Sequence, residues 1–274
     1  MEIVTLKTAD ISFAKQLTDR EQWGYSTADW RRLAALEPRG CFVARQNGRR
    51  VGVITTTVYG AYAFVGSLIV VADWRGVGIG YYLLRRALDY LADLGVATVE
   101  LDAVLPAAAM YRRLGFKDKY LSLRFHRPAG KALRRPPHAP LRLTAIPAFD
   151  RAQTGIDRSR ILRRYLRELR DSIFTSGGDR LRAYGVVRPR TGGVQMIGPL
   201  VAAEPAAADD VFDRIVRHYR ASALVMGVPA MNPTAAVLAI KHGFRYRNPS
   251  LRMYKGSKLN YEDAVYGILS PEKG

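Results

Sequence analysis

A single cysteine, Cys41, in 274 residues excludes an internal disulfide. Cys41 lies in an apolar stretch, where a small buried thiol is the expected role. The four histidines, His126, His138, His218 and His242, show no metal-ligand spacing, and no metal is expected. No apolar run approaches the ~20 residues that cross a bilayer. The opening Met1-Glu2-Ile3-Val4-Thr5 reads as the start of a strand rather than a signal peptide. A cytoplasmic chain without membrane association is therefore expected. Acidic residues are scarce too: 24 against 43 lysines and arginines, a formal net charge of +19. Such a field attracts polyanions. The arginines are nevertheless spread along the chain and concentrate only at 128–140 and 158–170. No nucleic-acid motif stands out, so solvated basic faces are the expected reading and nucleic acid is not the expected partner.

What is present begins with Leu68-Ile69-Val70-Val71-Ala72-Asp73-Trp74-Arg75-Gly76-Val77-Gly78-Ile79-Gly80. An apolar strand runs into glycines, and apolar residues at Leu83, Leu84, Ala87, Leu88, Leu91 and Leu94 then follow a helical spacing. The first N–H groups of a helix lack partners within it and the dipole favours anions there, so strand, glycine loop and helix make a phosphate cradle. No Lys-Ser/Thr pair follows the glycines, which excludes a nucleotide-triphosphate loop, and Tyr81 stands where the dinucleotide fingerprint needs its third glycine. Arg75-x-x-Gly78-x-Gly80 instead resembles the acetyl-CoA loop of the GNAT superfamily of acyltransferases. A structural turn is the plain alternative.

The sequence beyond the loop extends the resemblance. A strand at 96–103 precedes a short helix at 106–114 that ends Tyr111-Arg112-Arg113-Leu114-Gly115-Phe116, a glycine cap followed by an apolar anchor. GNAT enzymes carry a Tyr-x-x-x-Gly-Phe ending at this separation from the loop. Before the loop, strands at 40–46 and 49–57 meet at Asn47-Gly48, a strong hairpin signal. A strand at 3–6 and helices at 9–19 and 26–36 come earlier, the last with Ser26 or Thr27 as its cap.

Residues 1–127 thus read as one mixed α/β domain, and 128–140, rich in proline and arginine, as a linker. The pattern restarts in 141–274. Strands are expected at 141–144, 182–187, 193–203 and 223–228, and helices at 159–171, 207–220 and 232–244. The last helix again ends in Gly243-Phe244. Where a phosphate loop would stand, the chain reads Ala202-Ala203-Glu204-Pro205-Ala206-Ala207-Ala208-Asp209-Asp210, without glycine and with three acids, and Ala239 replaces the tyrosine. This half is expected not to bind CoA. The whole order resembles a tandem-GNAT group, through Trp23, Asp29-Trp30, Glu37-Pro38-x-Gly40-Cys41-Phe42 and Leu101-Asp102-Ala103 in the first half. The second half adds Ile197-Gly198-Pro199-Leu200, Val228-Pro229-x-x-Asn232 and Leu251-Arg252-Met253-Tyr254. Family members usually have asparagine after the first tryptophan, where this chain has Gly24. The expected fold is α/β, a mixed sheet in each of two tandem GNAT-like acyl-CoA N-acyltransferase domains, the second degenerate.

The resemblance implies that acetyl-CoA is the co-substrate and an amine the acceptor, the amine attacking the thioester through a tetrahedral oxyanion. Ile69, Val70 and Val71 would offer backbone N–H groups to the thioester and pantetheine. Arg75, Gly76, Val77, Gly78, Ile79 and Gly80 would hold the pyrophosphate, and Tyr111 would be the general acid. Asp102 is the candidate base, since an alkylamine is mostly protonated at neutral pH. Each residue also has a plain structural role open to it: a buried strand, a surface arginine, a packed aromatic, a turn cap. The competing function is a non-catalytic acyl-CoA sensor or nucleic-acid-binding protein that keeps the fold.

Overall fold

The computed structural model describes residues 1–131 and 142–274. Positions 132–140 of the expected linker lie outside the described residues, as does Leu141. The chain packs into two compact units. The first takes Met1–Asp118, Met253–Lys258 and Glu272–Gly274; the second takes Lys119–Arg252 and Leu259–Pro271. Residues 119–127, read from the sequence with the first half, therefore pack in the second unit, and two short C-terminal pieces pack in the first.

The first unit runs β1 (Glu2–Thr5), α1 (Ile11–Arg20), α2 (Thr27–Leu36), β2 (Phe42–Gln46), β3 (Arg49–Tyr59), β4 (Tyr62–Val70), α3 (Ile79–Asp93), β5 (Thr98–Ala103) and α4 (Ala108–Arg113). Its strands lie in the order β1-β2-β3-β4-β5. The neighbours are antiparallel up to β4, and β4 and β5 are parallel. The piece 253–258 joins beside β5, where the Thr98 hydroxyl donates to the Ser257 carbonyl at 3.0 Å.

Local chemistry explains the elements. Asn47 and Gly48 both adopt positive φ, 50° and 73°, which a two-residue hairpin needs to follow the strand twist. Ser26 caps α2 by accepting from the Asp29 N–H at 3.1 Å, while the Asp29 carboxylate accepts from the Ser26 N–H at 2.9 Å; the two satisfy each other's orphan groups. Leu83, Leu84, Ala87 and Leu91 are buried on one side of α3, which packs on β3 and β4. On the opposite side Leu17, Trp30, Leu33, Val43, Val53 and Ile69 form a second core. Trp30 is fully buried, and its indole N–H donates to the Thr18 hydroxyl at 3.2 Å. Cys41 sits in this core with its thiol pushed up to about 12 by burial, an inert position for a sulfur.

The second unit receives β6 (Lys117–Arg127) and continues α5 (Ile146–Thr154), α6 (Ser159–Glu168), β7 (Ile173–Ser176), β8 (Ala183–Pro189), β9 (Gln195–Ala202), α7 (Pro205–His218), β10 (Leu224–Pro229), α8 (Pro233–Lys241), β11 (Arg245–Gly256) and β12 (Val265–Gly267). Its strand order is β11-β6-β10-β9-β8-β7, with β12 on β9. The core gathers Phe125, Phe174, Leu200, Val211, Phe212, Ile215 and Met226. The strand expected at 141–144 is not formed by the described residues: Leu143–Ala145 is a 3-10 turn leading into α5. Pro147 in the first turn of α5 suits a helix start, where its missing N–H costs nothing. The helix places buried Asp150, which accepts from Arg158 at 2.5 and 2.9 Å and from the Tyr184 hydroxyl at 2.5 Å.

In the first unit, Asp10 ties the β2–β3 hairpin to the start of α1. It is buried and accepts from the Lys7 N–H at 2.9 Å, Arg50 at 2.5 Å and Arg45 at 3.3 Å. Burial alone would raise its pKa, but the Lys7 N–H and the Arg50 guanidinium outweigh it and hold the carboxyl below its ordinary 3.8. A depressed folded pKa gives stability above the unfolded value that is lost as pH falls through the folded one. Asp10→Asn should therefore cost about 1–3 kcal/mol at pH 7. In denaturant melts the gap to the parent should narrow once the pH drops below 3.8. A gap that stayed constant with pH would exclude the charge as its source.

Candidate functional site

The site begins with a fault in the sheet. β4 pairs with β5 only from Tyr62↔Thr98 to Val65↔Leu101. On its other edge, β4 carries one residue more than β3 between the pairs Thr55↔Gly66 and Val53↔Ile69, and Ser67 takes up the excess with φ 51°. A bulge bends the strand that contains it. Beyond it β4 leaves β5, and a cavity of about 590 Å³ opens. That volume is in the range of small-molecule sites.

Leu68, Ile69 and Val70 line one wall, and Val104, Pro106, Ala107, Met110, Tyr111 and Arg113 the other. One end is closed by the loop between β4 and α3, through Trp74, Arg75, Gly76, Gly78, Ile79, Gly80 and Tyr81. Gly76 and Gly78 have φ of 82° and 89°, a backbone that L side chains resist. A Cβ at Gly76 would meet nothing within 4 Å, so the backbone here stands bare. Gly78 is the residue from which α3 starts, and the unpaired N–H groups of that first turn lie at the cavity. Glycine at 80 has ordinary space for a Cβ, 3.6 Å from the Met110 sulfur. A bare backbone at the start of a helix is the kind of surface that can hold an anionic group.

The expected residues are not all brought together. The Val71 N–H already donates to the Val51 carbonyl at 2.8 Å, so it is not free for a cofactor. Ladder bonds alternate along an antiparallel strand, which leaves the Val70 N–H directed to the unpaired side. Val71 and Val77 are not in the cavity wall, and neither is Asp102, half-buried on β5. Arg75 reaches back into the protein: its Nε donates to the Val70 carbonyl at 2.9 Å and its Nη2 donates to the Glu21 carboxylate. Glu21 and Trp23, from the turn after α1, also line the cavity. Glu21 was not legible as a site residue, because nothing in its local pattern marks it.

Tyr111 is brought in by α4. It is buried, with its ring edge-on to Phe116 at 6.1 Å. Burial pushes its hydroxyl well above the ordinary tyrosine range. Gly115, φ 85°, closes the helix, with the Phe116 N–H returning to the Tyr111 carbonyl at 3.2 Å and Gly115 to Arg112 at 2.9 Å, a glycine cap that fixes where the tyrosine points. In the second unit Gly243, φ 81°, does the same, with Phe244 bonded to Ala239 at 3.0 Å. Ala239 therefore holds the backbone position of Tyr111.

The second unit repeats the splay but fills it. β10 pairs with β9 only from Leu224↔Gln195 to Met226↔Ile197. Past that point β12 lies on β9, at Val265↔Val201 and Gly267↔Leu200, and the Ile268 N–H donates to the Gly227 carbonyl of β10 at 2.9 Å. Only Ala203 and Glu204 separate β9 from α7. Among the described residues, no group of three or more His, Cys, Asp or Glu side chains could hold a metal ion, and no helix is long and apolar enough to cross a membrane.

Comparison with known proteins agrees with this geometry. An N-alpha-acetyltransferase MAK3 of Arabidopsis thaliana is 33% identical over 100 residues, 34% of this chain and 52% of that one. An uncharacterised N-acetyltransferase of Methanocaldococcus jannaschii is 30% identical over 117 residues, 39% and 51% of the two chains. The chain thus spans about half the length of the curated relatives it matches. A putative acetyltransferase from Pyrococcus horikoshii shares the fold with a TM-score of 0.81, at 24% identity over 100% of this chain and 95% of that one. A GCN5-related N-acetyltransferase from Sphaerobacter thermophilus does so at 0.66, with 15% identity over 93% and 95%. The model of the acetyltransferase (GNAT) family matches residues 11–116, and a second, of an acetyltransferase (GNAT) domain, matches 146–267. Together they take in well over half of the residues, and the chain belongs to the GNAT acetyltransferases, with two GNAT domains in tandem.

Proposed function

We propose that this chain is an acetyl-CoA-dependent N-acetyltransferase that moves an acetyl group to a primary amine of a small molecule or protein by direct attack on the thioester. The observation that carries the reading is the gap between β4 and β5, closed by a left-handed glycine loop at one end and bordered by a buried tyrosine. Acetyl-CoA, when bound, supplies the thioester. The N–H groups from Gly76 to Gly80 hold its pyrophosphate, where backbone donors and the helix dipole act together. The Val70 N–H stabilises the charge that gathers on the thioester oxygen. Tyr111 keeps its proton at neutral pH, because burial disfavours the phenolate. It is therefore equipped to give a proton to the departing sulfur; with Asp102 outside the cavity wall, the proton shed by the attacking amine goes to water, and water restores the Tyr111 proton. Leu68, Ile69, Ala107 and Met110 exclude water from the reacting bond. The second unit keeps the architecture without the cleft, since β12 fills it. The name of the Arabidopsis relative makes peptide α-amines the first acceptors to test, beside ε-amines and small amines.

Gly78→Asp sets a carboxylate against the proposed pyrophosphate site and strains a φ of 89°. CoA affinity measured by calorimetry should fall by more than an order of magnitude, with Gly78→Ala falling between it and the parent. Unchanged affinity in Gly78→Asp would remove the loop from the account. Tyr111→Phe should leave CoA affinity as it is and lower turnover by ~100-fold or more, the usual share of a general acid. Parental turnover in this variant would reduce Tyr111 to packing.

A further inference from the structure

Glu21 and Trp23 line the cavity but have no part in the chemistry proposed above. The chain goes to some trouble to put them there. Gln22 and Gly24, on either side of Trp23, both take positive φ, 55° and 69°. For glutamine that is a sparsely populated conformation that the surroundings must impose. The Trp23 N–H donates to the Thr18 carbonyl at 2.9 Å, which folds the turn back on α1. The Trp23 ring lies 6.0 Å from Tyr25, itself 6.0 Å from buried Trp30, so its position is braced.

The Glu21 carboxylate pairs with Arg75, whose Nε is held by the Val70 carbonyl. One guanidinium thus joins the phosphate cradle, the end of the cofactor strand and the turn that carries Glu21. The pair is partly solvated, with 53% of the Arg75 and 33% of the Glu21 side chain exposed. Exposed pairs of this kind are weak and exchange readily, whereas a pyrophosphate beside the adjacent glycines offers Arg75 a multiply charged, multidentate partner.

We propose that Glu21 is the binding group for a cationic amine acceptor and that Arg75 masks it until acetyl-CoA is bound. The inference rests on the reading that CoA fills the cleft. The pyrophosphate draws Arg75 away. Glu21 is then left as a bare carboxylate in a cavity that Trp23 also lines, and a carboxylate in a site with an indole selects a primary ammonium over neutral or anionic groups. The consequence is an order: the amine is recognised after acetyl-CoA has entered.

The test uses the full chain and two probes, CoA and ethylammonium chloride. Glu21→Gln removes Arg75's competing partner, so CoA should bind about 2- to 5-fold tighter than to the parent, the worth of an exposed ion pair. The same substitution in an Arg75→Gln background should change CoA affinity not at all. Ethylammonium, titrated against a sodium chloride control, should perturb tryptophan fluorescence of the CoA-loaded parent. It should do so much less in the CoA-free parent and in CoA-loaded Glu21→Gln. Unchanged or weaker CoA binding by Glu21→Gln, or the same gain without Arg75, overturns the masking. An equal ethylammonium response in all three samples overturns the ammonium site. If the parent binds no CoA at all, the acetyltransferase reading itself fails; if it binds CoA and Glu21→Gln matches it, only this inference does.

Discussion

The pairing of β4 with β5 ends after Val65↔Leu101, and the functional architecture of the first unit depends on that ending. Two parallel strands that stayed paired would leave no room between them. The extra residue at Ser67 bends β4 away and turns a hydrogen-bonding edge into a wall on which the Val70 N–H faces away from β3. The same bend delivers the chain to the glycine loop, and the loop delivers it to the start of α3. A cofactor that is an extended thioester with a pyrophosphate at one end needs these in this order: a strand edge, a bare backbone, a helix N-terminus.

In the second unit the corresponding splay is filled by the chain itself. β12 hydrogen-bonds to β9, and Ile268 to Gly227 of β10, so the exposed strand edges find partners within the chain, as buried backbone groups must. A Cβ at Gly227 would lie 2.5 Å from the Ile268 side chain, which shows how closely the space is taken. The missing glycines and the Ala239 in place of tyrosine are then two parts of one change. On the proposed reading, a filled cleft would leave neither a phosphate cradle nor a proton donor anything to act on.

Features set by neighbouring residues were legible in the sequence. The hairpin at Asn47-Gly48, the Ser26 cap, the glycine loop and the Gly115-Phe116 helix ending each depend on a few consecutive side chains. The sequence marks Gly24 only as a departure from the resembled family's asparagine; the structure supplies a reason, since its φ of 69° is one that glycine and asparagine tolerate best. Features set by distant residues were not legible. No pattern announces that the Val71 N–H is spent on Val51, that Arg75 turns to Glu21, or that β12 enters the second sheet. The backbone of Glu272 lies 2.5 Å from where a Cβ on Gly66 would stand, a contact across more than 200 positions of sequence. The segment 141–144 misled for a related reason. Its alternation resembles a strand, but Leu143–Ala145 turns into α5, where Asp150 is held by Arg158 and Tyr184.

The central claim is that an open splay in the first unit and a filled one in the second make this a tandem chain with a single cofactor site. The stoichiometry of acetyl-CoA binding tests it most directly. Isothermal titration of the full chain should give one acetyl-CoA per chain. Two per chain would mean that β12 does not occupy a cofactor cleft, and none would mean that the gap between β4 and β5 is not a cofactor site.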